Sequence, residues 1–267
     1  MLKYDNNNPE TIYSAVCFVD ILGFSQLVQD SFNAGTGNDL LKRLHKTLTD
    51  GINSLRPREE YVGVLKTFTD NIVIGHPIYE DGESQLGGIF LDFAAYQLSM
   101  ALEGFFVRGA VSIGEYYADN EFAFGPALLE AHQLESEEAI TPRIILSNET
   151  RNMVHEHINY YADPKWAPQS RDLLKDNVDG NYFINYLETV MGEKEPQDYQ
   201  FAYTLLQNHK AIIEENLARF QHNPRVFPKY EWAAQYHNFF SDLNFNNTHN
   251  SQLQILNVAN GDFSLIV

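Results

Sequence analysis

The stretch Ala15-Val16-Cys17-Phe18-Val19-Asp20-Ile21-Leu22-Gly23-Phe24 decides how the rest of the chain is read. From Tyr13 to Leu22 the residues are mostly β-branched, aliphatic or aromatic, and the run stops at Gly23, the pattern of a buried strand. One acid, Asp20, stands near its C-terminal end. Downstream, Ser25 to Gln29 opens a helical turn. Asp39 to Leu48 carries Leu40, Leu41, Leu44 and Leu48 at helical spacing, so a helix in two pieces is expected, broken by Gly35-Thr36-Gly37. Tyr61–Phe68 and Asn71–Gly75 are β-rich and separated only by Thr69-Asp70, which is hairpin spacing with Asp70 at the tip. Leu86 to Leu102 reads as a long apolar helix, and Phe105 to Ile113 as a strand closed by Gly114. The order β-α-β-β-α-β is ferredoxin-like and makes the fold class α+β.

Pro126 suits the first position of a helix reaching Glu137. Arg143–Leu146 reads as a strand, and Asn148 as the cap of a short helix to His157. The polar stretch from Asp163 to Val178, with Pro164 and Pro168, is expected to be a loop, followed by a strand at Asn181–Tyr186. Gln197–Phe220 places Phe201, Leu205, Ile213, Leu217 and Phe220 on one helical face, and Tyr230–Phe240 forms a second, aromatic-rich helix. The domain reading is a core over 1–190 and a helical extension over 191–267 packed on it. Asn244–Asn250 is expected to be a surface loop.

With 18 Lys plus Arg against 36 Asp plus Glu, the formal charge is −18. Such a field repels nucleic acid and anionic membranes, so neither is expected as a partner. An anionic substrate then requires local compensation, from a metal, a helix N-terminus or placed cations. The single cysteine, Cys17, lies in an apolar run and reads as a reduced core thiol of a cytoplasmic protein. No signal peptide or apolar stretch of spanning length is read in the sequence.

Asp20 alone reads as a strand-end polar residue, and Asp70 alone as a turn residue. Topology changes the reading, because in β-α-β-β-α-β the first strand lies beside the hairpin and the two acids converge. Two ionised carboxylates in one place repel, and a pair of Mg²⁺ or Mn²⁺ ions is the common way to make such a pairing favourable.

Three segments carry a family resemblance: Ala15 to Phe24, Leu65-Lys66-Thr67-Phe68-Thr69-Asp70-Asn71, and Val107 to Glu115 with the following Phe124-Gly125-Pro126-Ala127. Across Tyr13 to Glu137 the chain resembles the catalytic domains of class III nucleotidyl cyclases. The resemblance implies a class III cyclase core in which Asp20, Asp70 and the carbonyl of Ile21 bind two Mn²⁺ or Mg²⁺ ions. It also implies that Gly23 and Phe24 bring helix-start amides to a triphosphate. One metal would lower the pKa of the ribose 3′-hydroxyl for in-line attack, and the other would clamp the leaving pyrophosphate. Arg108 is the expected cation on phosphate oxygens or developing charge, against the plainer reading of an ion pair. Lys66 is the expected base contact, and Tyr61 and Phe68 are candidates to stack on or edge the base, against the plainer reading of strand packing.

The chain also departs from the purine enzymes. Thr69 stands where they have Gly; the polar companion of Lys66 is replaced near Phe122; their Asn and Arg fall near Leu129 and Gln133. These departures resemble the Pycsar pyrimidine cyclases of anti-phage defence, as do Glu135 and the C-terminal residues Lys229, Trp232 and Tyr236-His237-Asn238. That narrower resemblance implies a uridylate or cytidylate cyclase. Uracil is favoured, since Lys66 is donor-only and suits the 4-carbonyl. It further implies a homodimer with shared active sites and a product that acts on a separate effector. A purine cyclase with an unusual pocket and a catalytically inactive cyclase-like module are the competing readings. The histidines show no zinc spacing: His155 and His157 are two apart and diverge on a helix.

Overall fold

The computed structural model describes residues 3–55, 64–192, 195–245 and 252–267. Among them, β1 (Ile12–Ile21) leads into α1 (Phe24–Asn33) and α2 (Gly37–Leu55), then β2 (Val64–Phe68) and β3 (Asn71–Pro77), α3 (Glu83–Leu102) and β4 (Val107–Ala118). The break between α1 and α2 falls at the glycine pair, with Gly35 at φ 74°. β5 (Ala123–Phe124), α4 (Pro126–Glu137), β6 (Ile144–Leu146) and α5 (Asn148–Ile158) follow. Tyr61 and the start of the second expected strand lie outside the described residues.

One open mixed sheet runs through the molecule. Its first part has the order β2-β3-β1-β4, and every neighbouring pair there is antiparallel. β6 joins β4 in parallel. β1 is buried on both faces and alternates as a strand must. Ala15, Cys17, Val19 and Ile21 enter the main core with Phe90 and Phe93 of α3. Val16 and Phe18 join Tyr116, Ala127 and Ala131 on the α4 side. Period two therefore puts Asp20 on the α4 side as well. β4 presses onto β1 just beside that residue, because a Cβ at Gly109 would lie 2.3 Å from the Phe18 carbonyl oxygen. Burial pushes the Cys17 thiol up, which keeps it a protonated core group.

Three expectations need correction. Residues 163–178 are not a loop throughout: a 3₁₀ turn (Pro164–Trp166) and α6 (Gln169–Asp172) lead into β7 (Leu173–Asp176), which pairs with β8 (Tyr182–Ile184). The prolines punctuate only the start, and the buried pair Leu173-Leu174 was too short to register as a strand. Second, Ser147 rather than Asn148 caps α5, its hydroxyl accepting from the Thr150 N–H at 3.2 Å. Third, the C-terminal segment is not all helical. After α7 (Pro196–Phe220) and α8 (Phe227–Asn244), β9 (Phe263–Leu265) adds to the sheet beside β7.

α8 is bound to the sheet by a buried ionic knot. The Arg143 Nη1 donates to Asp176 Oδ2 at 2.7 Å, and Arg143 also pairs with Asp179. The same Asp176 oxygen accepts from Trp232 Nε1 at 2.9 Å, and the guanidinium lies 5.6 Å from the Trp232 ring centroid. Breaking such a pair strands a buried charge. Arg143→Met is therefore expected to cost about 3–5 kcal/mol in urea unfolding at pH 7; a loss below about 1 kcal/mol would contradict this role.

Candidate active site

Asp20 closes the α4 side of β1 and stands opposite Arg108 of β4 in the strand register. Asp70 occupies the second place of the Thr69-Asp70 turn, flanked by the Phe68–Asn71 pair. Thr69 takes φ 55°, a left-handed conformation that costs a non-glycine residue roughly 1–2 kcal/mol. Its hydroxyl donates to Asp70 Oδ1 at 2.8 Å, which fixes the carboxylate and explains how Thr serves where Gly is sterically easier. β3 lies directly beside β1, so the turn brings Asp70 to Asp20, close enough for a hydrogen bond between the carboxyls to weigh on the Asp20 proton.

Burial first, then that hydrogen bond and the charges of Asp70 and Glu135, push Asp20 up to about 7, while Arg108 opposes the shift. The Arg108 guanidinium is shared: Nη2 lies 2.7 Å from Glu135 Oε1 and 3.7 Å from Asp20 Oδ2, and Nη1 donates to the Glu135 carbonyl at 3.3 Å. Burial raises the Glu135 carboxyl although Arg108 pulls the other way. Lys229 of α8 completes the cluster, within electrostatic reach of Arg108, Asp20 and Glu135. Neither Glu135 nor Lys229 was assigned a role from sequence. Both belong to helices far along the chain, and only the packing of α4 and α8 brings them here.

Among the described residues no three His, Cys, Asp or Glu side chains converge as a metal-ligand set. The donor set on offer is the carboxylate pair, since Glu135 is held by Arg108. That pair fits a hard divalent cation: two ionised carboxylates brought together repel, and a cation between them offsets the repulsion. All the donors are oxygens, which suits Mg²⁺ or Mn²⁺ over softer ions.

Ile21 has its side chain in the core and stands opposite Val107 in the β1–β4 register, one residue beyond Asp20. Gly23, at φ 75°, is the N-cap of α1, which no side chain caps, and Phe24 packs on the main core. Lys66 is level with Val73, Phe18 and Ala110 across four strands, on the same face as Asp20 and one pleat repeat away. It lies within electrostatic range of Asp119. The Asp119 carboxyl is held low chiefly by the Phe122 N–H, then by the Tyr117 hydroxyl and the Glu121 N–H, with Lys66 adding to them. Phe68 forms the last residue of β2. Leu129 and Gln133 face outward on α4: Leu129 is exposed and Gln133 Nε2 donates to Glu137 at 3.0 Å. The structure thus joins Asp20, Asp70 and Arg108, and sets Lys66 apart from them along the same face.

Comparison with protein-family models and with curated proteins gives no match. No helix among the described residues is long and apolar enough to cross a membrane.

The raised Asp20 carboxyl has a measurable consequence. The folded protein holds a proton there that the unfolded chain releases above about pH 4, so metal-free stability falls as pH rises from about 4 to 7. The loss is on the order of 2–4 kcal/mol. Denaturant melts with chelator across this range are expected to show the slope in the wild type and a flatter one in Asp20→Asn. Equal slopes would mean that the carboxyl is not held protonated.

Proposed function

We propose that the protein is a nucleotidyl cyclase that converts a nucleoside triphosphate to a 3′,5′-cyclic mononucleotide and pyrophosphate. The observation that carries the reading is the convergence of Asp20 and Asp70 at adjacent strand ends, with Arg108 Nη2 3.7 Å from Asp20 Oδ2. Asp20 and Asp70 would hold Mn²⁺ or Mg²⁺, with the Ile21 carbonyl as a further ligand. Bound there, such ions supply Lewis acidity toward the ribose 3′-hydroxyl and neutralise the triphosphate. Arg108 offers charge to a phosphate oxygen, its Nε being buried without a hydrogen-bond partner among the described residues. Glu135 orients the guanidinium by gripping Nη2 and Nη1. Asp20, protonated below about pH 7 when metal-free, gives up its proton as the cation enters.

A pyrimidine triphosphate, UTP before CTP, is the favoured substrate, and a role in anti-phage signalling through a separate effector follows from the same resemblance. The positions at which purine enzymes carry polar groups hold exposed Phe122 and Leu129. One observation favours the purine alternative: Asp119 stands within reach of Lys66 and offers it a carboxylate companion. Asp119 already accepts from Tyr117, Glu121 and Phe122, which makes it a turn-former first. A second copy of the chain is the proposed source of the missing base wall. The exposed apolar side chains Phe122, Phe124 and Leu129 lie near that edge and suit an interface.

Competition among equimolar UTP, CTP, ATP and GTP with Mn²⁺ tests the substrate class. Pyrimidine turnover is expected to exceed purine turnover by roughly 5- to 150-fold, the worth of one mispaired polar edge. Equal rates, or a purine preference, would shift the assignment to the Lys66–Asp119 reading.

A further inference from the structure

The C-terminal residues Lys229, Trp232, Tyr236, His237 and Asn238 form one pattern on α8, yet they do different things. Trp232 bonds Asp176. The Tyr236 hydroxyl donates to Asn185 Oδ1 at 2.7 Å and accepts from the Leu187 N–H at 3.0 Å. His237 is 3.0 Å from His209 and 3.0 Å from the Leu253 carbonyl oxygen. Asn238 donates to the Ile255 and Val258 carbonyls, each at 3.1 Å. These four are buried and committed to packing. Lys229 is the exception: it is half-buried, and among the described residues its ammonium makes no ion pair within 4 Å.

Its surroundings show what such an ammonium can take. Lys229 lines a cavity of about 360 Å³ whose wall also includes Ile21 and Gly23 at the end of β1 and Tyr230 of α8. Asp20 and Glu135 lie within electrostatic range of its ammonium, and so does Arg108, so that Lys229 and Arg108 repel one another. An anion between them would relieve that repulsion with charge-assisted bonds to both. The same wall carries Asp30, Glu103 and Glu215 alongside the cations Arg43 and Arg219, and Arg219 lies 3.9 Å from Asp30.

We propose that Lys229 is a ligand for the substrate's polyphosphate, so that α8 completes the phosphate site within the same chain. The inference rests on the cyclase reading and extends it, since it gives the C-terminal segment a part in binding and not only in packing. Together Arg108 and Lys229 provide two local cations in a protein whose net charge of −18 otherwise opposes a triphosphate.

Inorganic pyrophosphate is the probe, titrated calorimetrically into the full chain with Mn²⁺. Lys229→Met keeps the methylene stem and removes the charge. It is expected to weaken pyrophosphate binding about 10- to 100-fold, the worth of one charge-assisted bond, and to raise KM for the triphosphate. Lys229→Arg is expected to recover most of the binding. Binding within twofold of wild type in Lys229→Met, or none in the wild type, overturns the assignment. A second measurement uses only the wild type: amine acetylation with and without pyrophosphate, read residue by residue by mass spectrometry. Protection at Lys229 beyond that at Lys46 and Lys175 supports the site, and equal modification overturns it. Lys229-dependent pyrophosphate binding without cyclic product from any triphosphate would overturn the cyclase reading instead, leaving Lys229 a phosphate ligand.

Discussion

Asp20→Ala and Asp70→Ala are each expected to lower cyclase turnover by more than about 100-fold, beyond the 10- to 100-fold typical of losing a mere supporter of a metal ligand. The two side chains converge from adjacent strands, so neither can hold a divalent cation as well without the other. Folding should survive, because the pair is held together against burial and like charge, and removing one member relieves both. With chelator at pH 8, the melting temperature of either variant should match or exceed that of wild type. Asp70→Ala also removes one acceptor of the Thr69 hydroxyl, a small cost at an exposed turn. Near-normal turnover in either variant would remove the carboxylate pair from the mechanism. Lost turnover with a collapsed fold would mean that the pair is structural.

Mixing Asp70→Ala protein with Lys66→Ala protein is expected to restore turnover that neither has alone. Lys66 lies one pleat repeat from Asp20 on the same face, within electrostatic range of the Asp119 turn. If a partner copy brings its Lys66 to this protomer's aspartates, a mixed dimer has one site with both lesions and one with neither. Random exchange then yields about one quarter of wild-type activity, since half the dimers carry one intact site of two. Exchange is confirmed by native mass spectrometry. Exchange without recovered turnover would place Lys66 in the same site as its own Asp70, or outside the site. The same mixing with Lys229→Met in place of Lys66→Ala should restore nothing, because α8 approaches the aspartates of its own chain.

The carboxylate pair was legible in the sequence because strand order fixes it. β1 ends in Asp20, the two-residue turn offers Asp70, and the β-α-β-β-α-β order leaves β3 beside β1. Arg108 was legible for the same reason, one strand over. The rest of the site was hidden because it depends on helices crossing from elsewhere. Glu135 looks like one more acid on a polar helix until α4 buries it against Arg108. Lys229 belongs to a pattern that the resemblance singles out without a role, and only the docking of α8 through Asp176, Asn185 and Leu253 brings it near the site. The helix of the extension could be read from apolar spacing, but β9 could not. Phe263-Ser264-Leu265 is too short to alternate, and it becomes a strand only because β7 offers an edge. Nor could the buried triad of Tyr186, His209 and His237 be read, its members being scattered over three elements.

The central claim is that the site closes a ribose 3′-hydroxyl onto its own α-phosphorus. The most direct measurement is the stoichiometry of products formed from UTP with Mn²⁺, by mass spectrometry of the nucleotide and enzymatic assay of the phosphate species. One pyrophosphate released for each 3′,5′-cyclic UMP, abolished in Asp70→Ala, is the expected result. Orthophosphate release, a linear nucleotide product, or no metal-dependent turnover of any nucleoside triphosphate would contradict it.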